Sequence, residues 1–220
     1  RVRSSAASDV YKRQQFYSGC WEIEKTVPGE IFISQGDYPL KGFHYLLQAM
    51  QEILQNCPEA HIKVAGISVL GVNGIKSRIK ISAYGKYLRR LILKNRLEGK
   101  VRVLGNLSAE EMKREYLSAQ IFVCPSAVEN SPNSVAEGQL LGVPVAASRT
   151  GGIPDVVKDG VSGLLFEKGN VHELAACVSR ILTDKQLAKE LSASERETAA
   201  KLYNGENNYQ KLIEIYQNIE

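Results

Sequence analysis

The chain reads as an α/β protein with a doubly wound parallel sheet. Short apolar runs alternate with amphipathic helical patterns along most of its length. The run Ile121-Phe-Val-Cys124 has no polar alternation and suits a strand covered on both faces, as parallel sheets require. A length of 220 residues with 44% hydrophobic content is enough to bury one good core.

Taken in order, Phe16 to Gly29 forms a lead-in segment in which Trp21 is an anchor against the sheet. Strands are predicted at 31, 61, 101, 121, 143 and 163, and helices over 42–56, 84–97, 108–118, 132–141, 171–183 and 185–202. The helix at 84–97 shows a core face of Tyr84, Tyr87, Leu88, Leu91 and Ile92. Ser108 with Glu111 forms a capping box, and Asn170 with Glu173 a looser version of it. A last helix, about 207–218, carries Tyr209, Leu212, Ile213 and Tyr216 at spacings of three and four. That stripe is open between packing on this domain's own core and remaining exposed.

Chemistry concentrates in the stretch from Cys124 to Gly138, where Glu129 and Glu137 stand eight residues apart. Ser131-Pro132 is a helix-start signature, a capping hydroxyl followed by proline at the first helical position. On that register the amides of Asn133 and Ser134 are orphan donors aimed out of the helix start, where the dipole favours an anion such as phosphate. Glu137 lies four residues after Asn133, on the same helix face and one turn deeper, where a carboxylate accepts from a pair of sugar hydroxyls. Glu129 leaves the end of the preceding strand, so both carboxylates face the crevice at the carboxyl end of the sheet, where open parallel sheets bind ligands.

The motifs around the pair are Ile31-Phe-Ile-Ser-Gln-Gly36-Asp-Tyr-Pro-Leu-Lys41-Gly42, His61-Ile-Lys-Val-Ala-Gly66, Val101-Arg-Val-Leu-Gly105 with Asn106, Gly142-Val-Pro-Val-Ala-Ala-Ser148, Thr150-Gly-Gly-Ile-Pro-Asp155 and Asp159-Gly-Val-Ser-Gly-Leu-Leu-Phe166. In this order, over roughly residues 28 to 203, the chain resembles the carboxyl-terminal half of retaining glycosyltransferases of family 4. The resemblance implies a Rossmann-like domain, one half of a GT-B fold, that binds a nucleotide-diphosphate sugar as donor substrate. No cofactor and no bound metal are expected. Carried over, Glu129 contacts hydroxyls of the sugar, Glu137 the ribose hydroxyls, and Asn133 and Ser134 the diphosphate. Lys41 supplies a point charge to the same diphosphate, so Glu129 and Lys41 are the expected catalytic pair. Gly36, Asn106, Asn130 and Ser131 complete the expected nucleotide-binding set.

The chain departs from the family pattern at three positions. Gly36 stands where many relatives have an arginine five residues before the lysine, so one of two usual diphosphate cations is missing. Asp155 replaces a commoner glutamate, and Pro132 replaces a glycine, which removes one amide donor.

Arg1 to Gln14 mix serine, alanine and basic residues without periodicity and are expected to be a non-native or disordered leader to a domain over 15–203. The resemblance then implies an upstream domain that binds a glycan or lipid-linked acceptor. Between Lys76 and Arg102 ten Lys or Arg face one acidic residue, a local charge of +9 in a chain of +4. Peripheral contact with anionic lipid and a plainly solvated helix are both open there. Nothing interleaves aromatic and basic residues as nucleic-acid readout would, so no nucleic-acid partner is expected. No apolar run reaches transmembrane length and no continuous apolar signal segment opens the chain, which leads us to expect a cytoplasmic protein, with contact at the inner membrane face open. Cys20, Cys57, Cys124 and Cys177 lack metal-ligand spacing and are expected as buried thiols. His44, His61 and His172 are expected to be structural or exposed. The absence of Gly-x-Gly-x-x-Gly after the first strand speaks against a dinucleotide dehydrogenase. The remaining alternatives are a sugar-nucleotide epimerase or phosphorylase on a similar fold, and a chain that binds without catalysing.

Overall fold

The computed structural model describes residues 18–66, 82–130 and 132–203, together with 209, 210, 213, 214, 216 and 217. Among the described residues the strands are β1 (Glu30–Ile33), β2 (His61–Ala65), β3 (Val101–Gly105), β4 (Ile121–Cys124), β5 (Val145–Ser148) and β6 (Leu164–Phe166). All pair in parallel, in the order β3-β2-β1-β4-β5-β6. The helices are α1 (Phe43–Asn56), α2 (Ala83–Lys94), α3 (Ala109–Ser118), α4 (Asn133–Leu141), the single turn α5 (Ile153–Val156), α6 (Val171–Thr183) and α7 (Lys185–Leu202). Every residue of β1, β4 and β5 is buried, whereas the edge strand β3 is half-exposed, as a doubly wound sheet predicts. One helical layer joins α1 with α2 and α6, and another joins α4 with α3 and α7.

The predicted boundaries shift where backbone chemistry intervenes. Helix α1 begins at Phe43 because Gly42 adopts a left-handed conformation. Helix α2 stops at Lys94 instead of 97, since Asn95 donates from its side chain to the Leu47 carbonyl and Arg96 turns the chain at positive φ. Pro132 is the cap of α4, not its first helical residue; its carbonyl accepts from both Val135 and Ala136. Both expected caps form: Ser108 and Glu111 bond reciprocally, and Asn170 pairs with Glu173. Trp21 is buried, donating from its indole to the Ala119 carbonyl at 2.8 Å and from its amide to the Leu141 carbonyl at 2.9 Å. It therefore anchors on the ends of α3 and α4. In the terminal stripe Tyr209 and Tyr216 are exposed, while Leu212 lies outside the described residues, as do the leader and Ser131.

The cysteine expectation needs one correction. Cys57 and Cys124 are buried and Cys177 is half-buried, but Cys20 is exposed, because Trp21 beside it takes the inward position. Burial pushes the Cys57 and Cys177 thiols up to about 11, which keeps them protonated. His61 opens β2, His172 pairs with Glu52 at 2.7 Å, and His44 packs on Tyr45 with its ring nitrogen 3.2 Å from the Tyr84 hydroxyl.

Glu195, on α7, is wholly buried beneath β5. One carboxyl oxygen accepts from the Val145 amide at 2.9 Å and the other has no partner. Burial drives its pKa well above the usual carboxylate value, against a smaller downward pull from the Val145 amide. The neutral acid is thus the form that folding prefers. Its stabilisation is complete below the unfolded-state carboxyl value of about 4.3 and is lost as pH rises past it toward the raised folded value. Glu195→Gln should consequently gain on the parent chain as pH rises from about 5 to 8. Calorimetric melting at both ends of that range checks this; a pH-independent difference in Tm would refute it.

Candidate functional site

In a sheet of this order β1 and β4 are neighbours whose chains leave in opposite directions, which opens a crevice at their carboxyl ends. A cleft of about 310 Å³ lies there. Its floor is apolar, from Ile33, Phe122 and Val123, and its walls are the polar loops that follow β1 and β4 with the first turns of α4.

Two close backbone approaches build those walls. Gly42 sits at φ 73°, and a Cβ there would overlap the Pro125 carbonyl, so the loop after β1 lies directly on the loop after β4. A hydrogen bond from the Ala127 amide to the Leu40 carbonyl at 2.8 Å locks the crossing. From the other side Gly151, at φ 53°, packs its Cα against the Glu129 carbonyl, which accounts for the glycines of the Thr150-Gly-Gly motif.

Five expected residues converge on this cleft: Lys41, Glu129, Asn133, Ser134 and Glu137 all line it. Since the Pro132 carbonyl takes the Val135 and Ala136 amides, the amides of Asn133 and Ser134 are those left without a helical acceptor. Lys41 donates to Glu129 Oε2 at 2.8 Å, and the buried Ser126 hydroxyl donates to the same oxygen at 3.2 Å. Both bonds fall on Oε2, which leaves Oε1 for a ligand hydroxyl. The Lys41 side chain is 31% exposed and that of Glu129 10%, so the pair is sheltered yet reachable. Glu137 is met from below by Tyr116, whose hydroxyl lies 3.4 Å from Oε2 and donates to the Ser134 carbonyl at 2.9 Å. Burial, and then the Glu137 charge, raise the Tyr116 pKa well above its usual value, so the phenol keeps its proton. Burial likewise pushes the Cys124 thiol up.

Three expected residues do not line the cleft. Asn106 is exposed at the end of β3, two strands away from β1 at the sheet edge. Asn130 is also exposed, with its backbone carbonyl against Gly152. Gly36 is buried below the loop; a Cβ there would overlap Val64 and press on Phe43, so this backbone has no room for an arginine. Among the described residues lining the cleft, Lys41 is the one cation. Ser34, Gln35 and Ser126 line it unanticipated, although residues just past β1 and β4 must border such a crevice. Among the described residues no group of three or more His, Cys, Asp or Glu could hold a metal ion. The donor set, one ammonium, two helix-start amides, hydroxyls and two carboxylates, suits an anion joined to a polyol.

The family profile for glycosyl transferases group 1 matches residues 22–198. The chain belongs to this family. It is 29% identical over 180 residues to the D-inositol 3-phosphate glycosyltransferase of Corynebacterium urealyticum, covering 82% of this chain and 41% of that protein. The chain thus spans less than half the length of that relative. Its fold matches the Anabaena HepE protein solved in complex with UDP, with TM-score 0.73 and 22% identity over 96% of this chain and 53% of that one. It also matches the C-terminal domain of a glycosyl transferase group 1 family protein, LpcC, from Francisella tularensis, with TM-score 0.68 and 20% identity over 87% of this chain and 92% of that one. The fold is therefore that of a GT-B glycosyltransferase domain. Among the described residues no helix is long and apolar enough to cross a membrane.

The loop crossing gives a direct test. Gly42→Ala forces a side chain into the Pro125 carbonyl at a left-handed position and should cost about 1–3 kcal/mol or more. Chemical denaturation measures it; a change within about 0.5 kcal/mol, as for an ordinary surface substitution, would show that the two loops are not held together.

Proposed function

We propose that this chain binds a nucleotide-diphosphate sugar as the donor half of a retaining, metal-independent glycosyltransferase acting on a glycan or lipid-linked acceptor. The observation that carries the reading is the convergence of Lys41, Glu129, Asn133, Ser134 and Glu137 on one cleft at the sheet's switch point. In this reading Glu137 accepts from the ribose hydroxyls. The amides of Asn133 and Ser134 hold the diphosphate, and Lys41 meets the charge that grows on it as the glycosidic bond to phosphate breaks. An ammonium has three donors; Glu129 uses one, so two remain for phosphate oxygens. Glu129 Oε1 then positions the sugar. That the HepE structure contains UDP supports this reading. An epimerase or phosphorylase would need a further acid or base in the cleft, and a chain that only binds would show the affinities below without turnover.

A thermal-shift screen of UDP-, GDP- and ADP-sugars identifies the nucleotide. The matching nucleoside diphosphate should bind far more tightly than the nucleoside, and Lys41→Ala should erase most of that difference. Glu137→Ala should weaken nucleotide binding about ten- to a hundredfold, as loss of a charged hydrogen bond implies, without unfolding the domain. Equal affinity of diphosphate and nucleoside in calorimetry, or an unaltered Glu137→Ala affinity, would remove these residues from the site.

One further observation favours a partner outside the cleft. Lys86, Arg90 and Lys94 share the outer face of α2 with Leu93, 63% exposed, while Tyr87 turns toward α1, where its hydroxyl accepts from Gln48 at 3.0 Å. In this reading the face rests on an anionic lipid surface, each cation contributing about 1 kcal/mol near the headgroups. Sedimentation should show binding to phosphatidylglycerol vesicles but not to phosphatidylcholine vesicles, lost in a Lys86→Glu, Arg90→Glu, Lys94→Glu variant. Equal sedimentation of parent and variant would return this face to plain solvent exposure.

A further inference from the structure

Tyr116 belongs to α3, outside the nucleotide-binding stretch, yet its hydroxyl reaches the underside of the cleft. The ring is fully buried, edge-on to Phe32 with centroids 5.0 Å apart and tilted against Phe122 at 5.0 Å. A ring alone would fill that core position. The hydroxyl adds a second set of contacts, to the Ser134 carbonyl at 2.9 Å, to Glu137 Oε2 at 3.4 Å and to the Ser34 side chain. Ser34 directly follows β1, whereas Ser134 and Glu137 are on α4, so one buried phenol joins the two walls of the cleft.

The chemistry of that contact is specific. The phenol has a single proton and faces two acceptors, a helix carbonyl and a carboxylate. The bond to the Ser134 carbonyl, on the first turn of α4, holds the hydroxyl in place beneath the carboxylate. The 3.4 Å contact with Oε2 restrains the rotamer of Glu137 from beneath. The hydroxyl of Ser34 completes the chain from the β1 side.

We propose that Tyr116 is a positioning residue for nucleotide recognition: its buried hydroxyl sets the orientation of Glu137 toward the ribose and does not touch the ligand. The proposal rests on the reading of Glu137 given above. It requires that loss of the hydroxyl be felt only by ligands carrying a ribose, and only while Glu137 is present.

Calorimetric titration of UDP and of inorganic pyrophosphate into the parent chain, Tyr116→Phe, Glu137→Ala and the double variant tests both layers. Tyr116→Phe keeps the ring and should weaken UDP binding about three- to tenfold while leaving pyrophosphate affinity unchanged. In the Glu137→Ala background the same change should have no further effect, because interacting residues are non-additive. Ser34→Ala serves as a second variant if Tyr116→Phe misfolds and should reproduce a smaller part of the same UDP-selective loss. Additive losses in the double variant, or equal losses for UDP and pyrophosphate, would assign Tyr116 a purely structural role and overturn the proposal. An unchanged UDP affinity in Tyr116→Phe would overturn it as well. If Glu137→Ala itself leaves UDP binding intact, the ribose reading fails first and this inference falls with it.

Discussion

The site depends on the contact between the backbone at Gly42 and the Pro125 carbonyl. A parallel sheet opens a crevice wherever neighbouring strands send their chains to opposite faces, but an opening alone specifies nothing. Here the loop after β1 is laid across the loop after β4 with no side chain between them, and the Leu40–Ala127 hydrogen bond holds it there. Lys41, one residue before the crossing, is thereby brought to 2.8 Å from Glu129, which is 88 positions away in sequence. Without the crossing the ammonium would have no fixed direction, and its long side chain would bear the full rotamer entropy of any contact it made.

The two ends of the sheet handle charge differently. At the amino end Glu30 is almost wholly buried and is satisfied by Lys63 at 2.9 Å and the Ser118 hydroxyl at 2.5 Å, with Glu115 sharing the same ammonium. Burial pulls the Lys63 ammonium down, and its bonds to Glu115 and Glu30 more than offset that. That cluster is turned inward, with both carboxylates on the one ammonium and His61 Nε2 3.5 Å from Glu30. At the carboxyl end the Lys41–Glu129 pair is only partly closed, since its bond uses one carboxylate oxygen and one of the three ammonium protons. A charged pair with unfilled hydrogen-bonding capacity, held in place and mostly sheltered from water, is what a polar ligand can exploit at low entropic cost.

The sequence made much of this legible because the relevant signals are local. Periodicity marks β1 to β6 and the main helices, and the Ser108–Glu111 and Asn170–Glu173 pairs mark two helix starts to the residue. Glu129, Asn133, Ser134 and Glu137 line one cleft because strand end and helix start are consecutive in the chain. What the sequence leaves illegible is non-local. Nothing near Gly36 shows that Val64 and Phe43 fill the space beside it, and nothing near Asn106 shows that β3 ends up at the sheet edge. Tyr116 is a core aromatic, and only the fold shows that its hydroxyl ends beneath Glu137. Pro132 moved by one position, a difference within the ordinary uncertainty of helix ends, and the same two amides are left over either way.

Trp21 is the one tryptophan in the chain. It is buried and bonded to the carbonyls of Ala119, just past α3, and of Leu141, at the far end of α4. These two helices carry Tyr116 and Glu137, so the indole rests on the same rigid pieces that shape the cleft from the opposite side. Its emission is therefore that of a single dry environment with one fixed hydrogen bond. Any ligand that shifts α4 relative to α3 changes that environment, and the molecule carries its own fluorescent gauge of the site without added labels.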